Sequence, residues 1–406
     1  KRNNGKFILR IEDTDKVREV PGSLEEIKKV ILDYGLDWDE GPDRGGDFGP
    51  YIQSERLEIY KEKALELVNN GKAYYCFCTK ERLEQVREEQ KANKQAPKYD
   101  KHCRHLSAEE ALSRRKAGES YVIRLKVPEN KTVVIDDLLR GDIEINSDQV
   151  DDQVLQKSDG FPTYHLAVVI DDYLMKISHI MRGEEWISSA PKHVLLYEAF
   201  GWEKPVFAHI PIFLNPDGKG KMSKRKGTVS SRSFLERGYL PEALLNFFMI
   251  LGWAKEDQEE VMTLAEYVEA FDPKDMSSKS VAFDMKKLDW LNGVYIRKLS
   301  MEELKEKVAP FLPAEFPTQK LDKILPLISK RLVTLLDINE LTKFFYIDET
   351  PETKLLLKRS DEAGVIDQLE KTIELLSSIE DWQTESIEKV MRSIQEKQDW
   401  HRGQFF

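Results

Sequence analysis

Apolar and polar positions along this chain follow two periods in turn, and the points of change divide it. Phe7-Ile-Leu-Arg-Ile11 is a short β-type run that reads as a buried strand, and Ser23-x-x-Glu26 reads as a capping box opening a helix to about Tyr34. A second helix is expected from about Gln53 to Asn70, so strand and helix alternate as in an α/β layer. From Lys72 to about Gly160 the character changes. Cys76-Phe-Cys78 sits at a strand or knuckle, and a charged helix follows from Thr79 to about Asn93. Tyr121 to Val127 alternates with period two, and Val133 to Ile135 and Ile143 to Ile145 read as further short strands. The α/β pattern resumes at Thr163 to Ile170, Lys176 to Met181 and a helix from about Ala190 to Phe200. Beyond Lys226 the chain reads as almost wholly helical, with capping boxes at Thr263-x-x-Glu266 and Ser300-x-x-Glu303. The longest apolar run, around Leu244 to Ala254, reads as a buried helix and falls short of the ~20 residues needed to span a bilayer.

Composition narrows the class. At 406 residues the chain is too long for one compact core, and several domains are expected. Apolar content of 40% and charged content of 33% are those of a soluble globular protein. No basic-plus-apolar leader opens the sequence, and a cytoplasmic protein is expected. The three cysteines all lie between Cys76 and Cys103, which favours a metal site over a disulfide scaffold. A formal net charge of −11 argues against a protein that coats nucleic acid non-specifically. Within that acidic chain, Lys219 to Lys226 carries five cationic side chains in eight residues.

Two constellations carry chemistry. Asn215-Pro-Asp-Gly-Lys-Gly220 is a turn-rich loop that ends in Lys221-Met-Ser-Lys-Arg225, which suits a polyphosphate: ammonium groups on an adaptable backbone follow charge as it develops. Cys76, Cys78 and Cys103 offer three thiolates, and either Tyr99 or His105 adds the fourth donor of a tetrahedral zinc site. Four protein ligands leave no open position, so that zinc is expected to be structural.

Lys221-Met-Ser-Lys-Arg225 closely resembles the KMSKS signature of class I aminoacyl-tRNA synthetases. Phe7 to Asp15, Gly49-Pro-Tyr-Ile-Gln-Ser-Glu-Arg56, Pro162-Thr-Tyr-His-Leu-Ala167 with Asp171-Asp172, and Arg182-Gly-Glu-Glu-Trp186 resemble its glutamyl and glutaminyl branch. The cysteine spacing resembles the zinc-binding insertion of some bacterial glutamyl-tRNA synthetases, and the chain is identified as a member of that family. The resemblance implies that Lys224 stabilises the transition state for attack on the α-phosphate of ATP and that Lys221 assists. Met222, Ser223 and Arg225 complete the ATP-binding segment. It implies that Glu12 binds the amino group of the substrate, that Arg182 pairs with its side-chain carboxylate, and that Tyr164 and Trp186 complete the pocket. Val168 stands where some members carry Asn. Phe283 to Asn292, with Tyr295-Ile296, resembles the helical region that contacts the inner corner of tRNA.

The implied fold is α/β: a Rossmann-type catalytic domain with an inserted α+β acceptor-stem-binding domain, followed by an all-helical anticodon-binding region. Residues 1–72 and 161–215 are expected to form the catalytic domain, 73–160 the insertion with the zinc site, 216–300 the signature loop and stem-contact helices, and 301–406 the anticodon-binding domain. The implied activity is ATP-dependent ligation of L-glutamate to tRNA(Glu) through a glutamyl-adenylate, with Mg²⁺ on the ATP. A monomer is expected, with tRNA bound before glutamate is activated. The family's His-x-Gly-His motif is not among the seven histidines of the chain. By that comparison roughly thirty residues precede Lys1 in the family and the helical region continues beyond Phe406, so the chain alone is expected to be inactive. The competing expectations are a glutaminyl-tRNA synthetase, whose anticodon region is built of β-barrels, and a short paralogue that glutamylates a tRNA base. A non-catalytic tRNA-binding relative and a zinc-dependent binding module remain as well.

Overall fold

The computed structural model describes residues 3–14, 22–222, 231–348, 350, 353–357 and 361–402. The chain divides into two compact units, residues 1–312 with 325–338, and residues 313–324 with 339–406.

Strands of the first unit are β1 (Ala73–Cys76), β2 (Val122–Leu125), β3 (Thr132–Asp137), β4 (Gly141–Asn146), β5 (Val154–Gln156), β6 (His179–Gly183), β7 (Val206–Ile210), β8 (Phe213–Leu214) and β9 (Val281–Ala282). They make a four-stranded sheet in the order β4-β3-β7-β6, a three-stranded sheet β1-β2-β5 and a pair β8-β9. β6 and β7 run parallel, joined by the helix α6 (Ala190–Phe200; α1 to α5 are Ser23–Asp33, Leu57–Asn69, Lys80–Ala92, Ala108–Lys116 and Tyr164–Leu174). This is the crossover that parallel neighbours require. The segment 73–160 contributes to two sheets: β1, β2 and β5 form their own, whereas the β3–β4 hairpin extends the sheet of β6 and β7.

Burial explains the arrangement. Along β3, Val133, Ile135 and Asp137 point to one buried face, and the apolar pair packs in a core with Ile180, Phe207 and the buried residues of α5 and α6. Leu166 to Asp172 on α5 are buried without interruption, so that helix lies inside the unit, carrying two aspartates with it. Asp137 is kept there by donors: His209 through its backbone N–H (3.0 Å) and Nδ1 (2.6 Å), and the N–H groups of Leu139 and Arg140 (3.1 Å each). Beyond the sheet lie α7 to α10 (Ser231–Glu236, Pro241–Ile250, Leu264–Ala270 and Met285–Lys298). Phe234, Leu244, Phe247, Phe283 and Leu288 form a second core there.

Several local expectations hold: Thr79 caps α3, and both boxes at Thr263 and Ser300 are closed. The box at Ser23 is not. Gly22, at φ 81°, takes the N-cap position and places Ser23 inside the helix. The strand expected over 7–11 is present as two isolated parallel bridges, Ile8 with Glu40 and Ile11 with Ile52, and it is not buried: Phe7 is exposed and residues 8–11 are half-buried. Its partners are loop segments, so pairing is held at single positions, by Leu9 N–H to Glu40 O and Ile11 N–H to Tyr51 O (2.8 Å each). The second unit is helical among its described residues, with Glu362–Ser377 and Thr384–Lys397 packed against each other.

Candidate active site

A cleft of about 430 Å³ opens beside the C-terminal end of β6. Ile8 to Arg10 and Glu12 line it from the N-terminal segment, Tyr164, Val168 and Asp172 from α5, and His179 to Arg182 from β6. In open α/β sheets, ligands settle outside the carboxyl ends of the strands. Four of the residues singled out in the sequence, Glu12, Tyr164, Arg182 and Trp186, meet at or beside it, because the Trp186 ring lies 5.2 Å from that of Tyr164, tilted by 40°, and 5.7 Å from the Arg182 guanidinium. Val168 lies on the wall, so an apolar side chain occupies that point.

The floor is an ordered charge network. Arg10 donates to Asp172 (2.8 Å) and to Glu12 (2.9 Å), so one guanidinium anchors the carboxylate at the mouth to the one beneath it. Those carboxylates keep Arg10 protonated against the pull of burial. The neighbouring Asp171 is fully buried and accepts from Gln53 Nε2 (2.9 Å), Arg56 Nε (2.8 Å) and Tyr60 O–H (2.8 Å). Arg182 donates to His193 Nδ1 (3.3 Å), and His193 Nε2 lies 2.9 Å from His165 Nδ1. Burial, then the positive charge of Lys192 and Arg182, pushes His165 down to about 4. Burial and Arg182 likewise push His193 well below the ordinary imidazole range, so both rings are neutral at pH 7.

The first lysine of the Lys221-Met-Ser-Lys-Arg225 signature is placed by backbone geometry. Asn215 N–H bonds Gly220 O (3.1 Å), Gly218 N–H bonds Asn215 O (2.8 Å), and Met222 N–H returns to Phe213 O (2.9 Å). The turn brings Lys221 opposite Leu214, and its Nζ pairs with Glu185 (2.7 Å), three residues beyond Arg182. That lysine holds the Glu185 carboxyl below its usual range. Met222 packs against the core of Phe234 and Phe283. Ser223, Lys224 and Arg225 lie outside the described residues.

The three thiols come together at the end of β1. Cys76, Cys78 and Cys103 place their sulfurs within 4.8 Å of one another, Cys78 and Cys103 at 3.6 Å. That spacing is close to the ~3.8 Å edge of a tetrahedron with ~2.3 Å zinc–sulfur bonds. The Tyr99 hydroxyl is 3.3 Å from Cys76 Sγ and 3.5 Å from Cys78 Sγ, whereas His105 is exposed and stands outside the cluster. Hydrogen bonding from the Cys103 thiol, then from Tyr99, holds the Cys76 thiol below the usual range, and the same contact raises Cys103. The Arg124 guanidinium lies over the Tyr99 ring at 3.9 Å, and Arg82 donates to Cys78 Sγ (3.5 Å). The donor set therefore suits a soft divalent cation whose ligand charge is offset by two arginines.

Sequence reasoning passed over Arg10, Glu185 and His193. Arg10 interrupts an apolar run, which was its signal. Glu185 and His193 gain meaning only from Lys221 and Arg182, which the fold brings to them.

Residues 1–290 match the family model "tRNA synthetases class I (E and Q), catalytic domain", and residues 303–406 match "Anticodon binding domain". Glutamate–tRNA ligase of Clostridioides difficile is 44% identical, over 98% of this chain and 84% of that protein. The enzyme of the same name from Pseudomonas aeruginosa is 45% identical, over 98% of this chain and 80% of its own length. The solved structure of a glutamate tRNA ligase from Elizabethkingia meningosepticum, in complex with its amino acid, superposes with a TM-score of 0.86 at 36% identity. The match covers 100% of this chain and 86% of that one. A catalytic-domain match across the cleft, an anticodon-domain match across the helical end and near-complete coverage by these relatives agree: the chain belongs to the glutamate–tRNA ligase family of class I aminoacyl-tRNA synthetases.

Proposed function

We propose that the chain ligates L-glutamate to tRNA(Glu) at the expense of ATP, through a glutamyl-adenylate. The observation that carries this reading is that Glu12 and Arg182 line one cleft. A carboxylate for an ammonium and a fork-shaped cation for a carboxylate are the two charges that α-amino dicarboxylate recognition needs. Tyr164 and Trp186 then exclude water around the aliphatic stem.

In the first step a glutamate α-carboxylate oxygen attacks the α-phosphorus of Mg²⁺–ATP. The bond to the bridging oxygen breaks, and pyrophosphate leaves. In the second, a hydroxyl of the terminal adenosine of tRNA attacks the mixed anhydride, and AMP leaves. Positioning and electrostatics supply the acceleration, and no covalent nucleophile is called for. Lys221 and Lys224 are assigned to the phosphates. Before ATP binds, Lys221 is held by Glu185, beside the end of β6.

Cys76, Cys78, Cys103 and Tyr99 are assigned to a zinc ion, with Tyr99 preferred to His105 because its hydroxyl touches two of the sulfurs. A bound ion would be held by ligands from the end of β1 and from the turn at Cys103, and its role there would be structural. The same reading makes the protein a cytoplasmic monomer, after its family; no helix among the described residues is long and apolar enough to cross a membrane. The test is charging of tRNA by the full-length gene product: ATP-dependent glutamate transfer that collapses in Lys224→Ala supports the assignment, and transfer untouched by that change removes it.

A further inference from the structure

An arginine that is to read one planar carboxylate and refuse a carboxamide must be both fixed and fully charged. These demands conflict when the fixing partner is a carboxylate, since that partner neutralises the arginine and competes with the substrate. Among the described residues, Arg182 is held instead by an imidazole: it donates to His193 Nδ1 at 3.3 Å. A guanidinium only donates, so Nδ1 must accept and the proton of His193 must sit on Nε2. That proton points at His165 Nδ1, 2.9 Å away, which in turn must accept. Two hydrogen bonds therefore fix both tautomers and require both rings to be neutral. His193 is 1% exposed on α6, with its ring 5.1 Å from that of His165 and 6.2 Å from that of Tyr164.

We propose that His193 is a positioning residue for substrate specificity: its Nδ1 orients the Arg182 guanidinium without drawing off its charge, and its bond to His165 keeps that nitrogen an acceptor. The proposal deepens the reading of Arg182 as receptor for the glutamate side chain and rests on it. Rotation of the imidazole, or loss of the His165 bond, frees the acceptor nitrogen to take a proton and turn it toward the arginine. The two carboxylates of the cleft, Asp172 and Glu12, are hydrogen-bonded to Arg10, and among the described residues neither makes a hydrogen bond to Arg182.

The test is steady-state charging by the full-length gene product, with glutamate and ATP varied separately. His193→Phe keeps the ring and removes the acceptor; KM for glutamate is expected to rise roughly tenfold, the scale of one lost hydrogen bond to a charged group, while KM for ATP stays near its original value. His193→Asn places an amide oxygen near the position of Nδ1 and is expected to recover most of the glutamate KM. In an Arg182→Ala background, His193→Phe should add nothing further. A His193→Phe enzyme with unchanged glutamate KM, alongside an Arg182→Ala enzyme whose KM has risen, overturns the positioning role and leaves the Arg182 reading intact. No change in either variant overturns both. If His193→Phe fails to fold, His193→Gln replaces it, because its polar atoms reach the His165 end and not the Arg182 end. A Gln variant equal to Asn in glutamate KM then counts against the proposal.

Discussion

Arg56 and Asp171 form an ion pair (2.8 Å) with side chains 2% and 0% exposed, beneath the cleft that holds Arg10 and Glu12. Gln53 and Tyr60 share the same carboxylate, so one residue of α5 fastens the turn before α2 and α2 itself. Its neighbour Asp172 fastens Arg10. The floor of the site is thus held together by adjacent side chains.

Removing the charge at Asp171 strands a buried guanidinium. Asp171→Asn is expected to destabilise the protein by about 3–5 kcal/mol, the usual cost of breaking one side of a buried pair. Urea unfolding checks this, and a loss below about 1 kcal/mol would show that water or rearrangement satisfies Arg56.

The neutral histidines give stability a defined pH dependence. His165 is pushed down to about 4 in the folded chain, against about 6.5 when unfolded, so below 6.5 the unfolded state binds more protons. Its contribution is present in full above pH 6.5 and is lost as pH falls toward 4. After allowance for its partial exposure, the loss amounts to roughly 2 kcal/mol. His193 adds in the same direction. The difference in stability between the protein and His165→Asn, followed from pH 7.5 to 4.5, should shrink as pH falls; a difference independent of pH contradicts the assignment.

Zinc should be found at one ion per chain by mass spectrometry of metal content, and lost in Cys103→Ser. Because thiolates must be deprotonated to bind, affinity should fall as pH is lowered. Tyr99→Phe is expected to weaken binding about 10- to 100-fold, the range for changes at or next to metal ligands, and His105→Ala to leave it unchanged. The reverse ranking would transfer the fourth position to His105.

Gly238 sits at φ 82°, where an added Cβ would come within 2.5 Å of Leu336 N and 2.7 Å of Leu335 N, both rigid backbone atoms. Leu335 N–H also bonds Gly238 O (2.8 Å). Gly238→Ala is therefore expected to cost at least ~2 kcal/mol, from left-handed strain together with a steric shift, whereas Gly201→Ala, with open space, should cost only about 1. Thermal melts of the two variants compare them directly.

What was legible in the chain was local or motif-borne. The start of α3 at Thr79 and the boxes at Thr263 and Ser300 follow from side chains a few residues apart, which interact before any tertiary contact forms, whereas α2 begins at Leu57, after a turn over Gln53–Arg56 that the sequence had placed inside the helix. The basic signature and the cysteine spacing pointed to a chemistry without its geometry. Ser23 shows the limit of a local rule: its box was complete in sequence, but Gly22 offered the chain a left-handed entry and displaced it. The β3–β4 hairpin was expected within the insertion, yet Asp137 pairs with Phe207 far along the chain, a choice made by the burial of Val133 and Ile135 against the helical layer. His193 was invisible for the same reason: an apolar helix containing a histidine gives no sign that Arg182 will lie against it.

The central claim, that Glu12 and Arg182 select glutamate for transfer to tRNA, is tested most directly by charging purified tRNA with labelled glutamate or glutamine, using the full-length gene product and its Arg182→Ala variant. The account predicts ATP-dependent charging with glutamate, little with glutamine, and a glutamate preference that disappears in the variant. A folded, tRNA-binding protein that charges neither amino acid, or a variant that retains the preference, would contradict it.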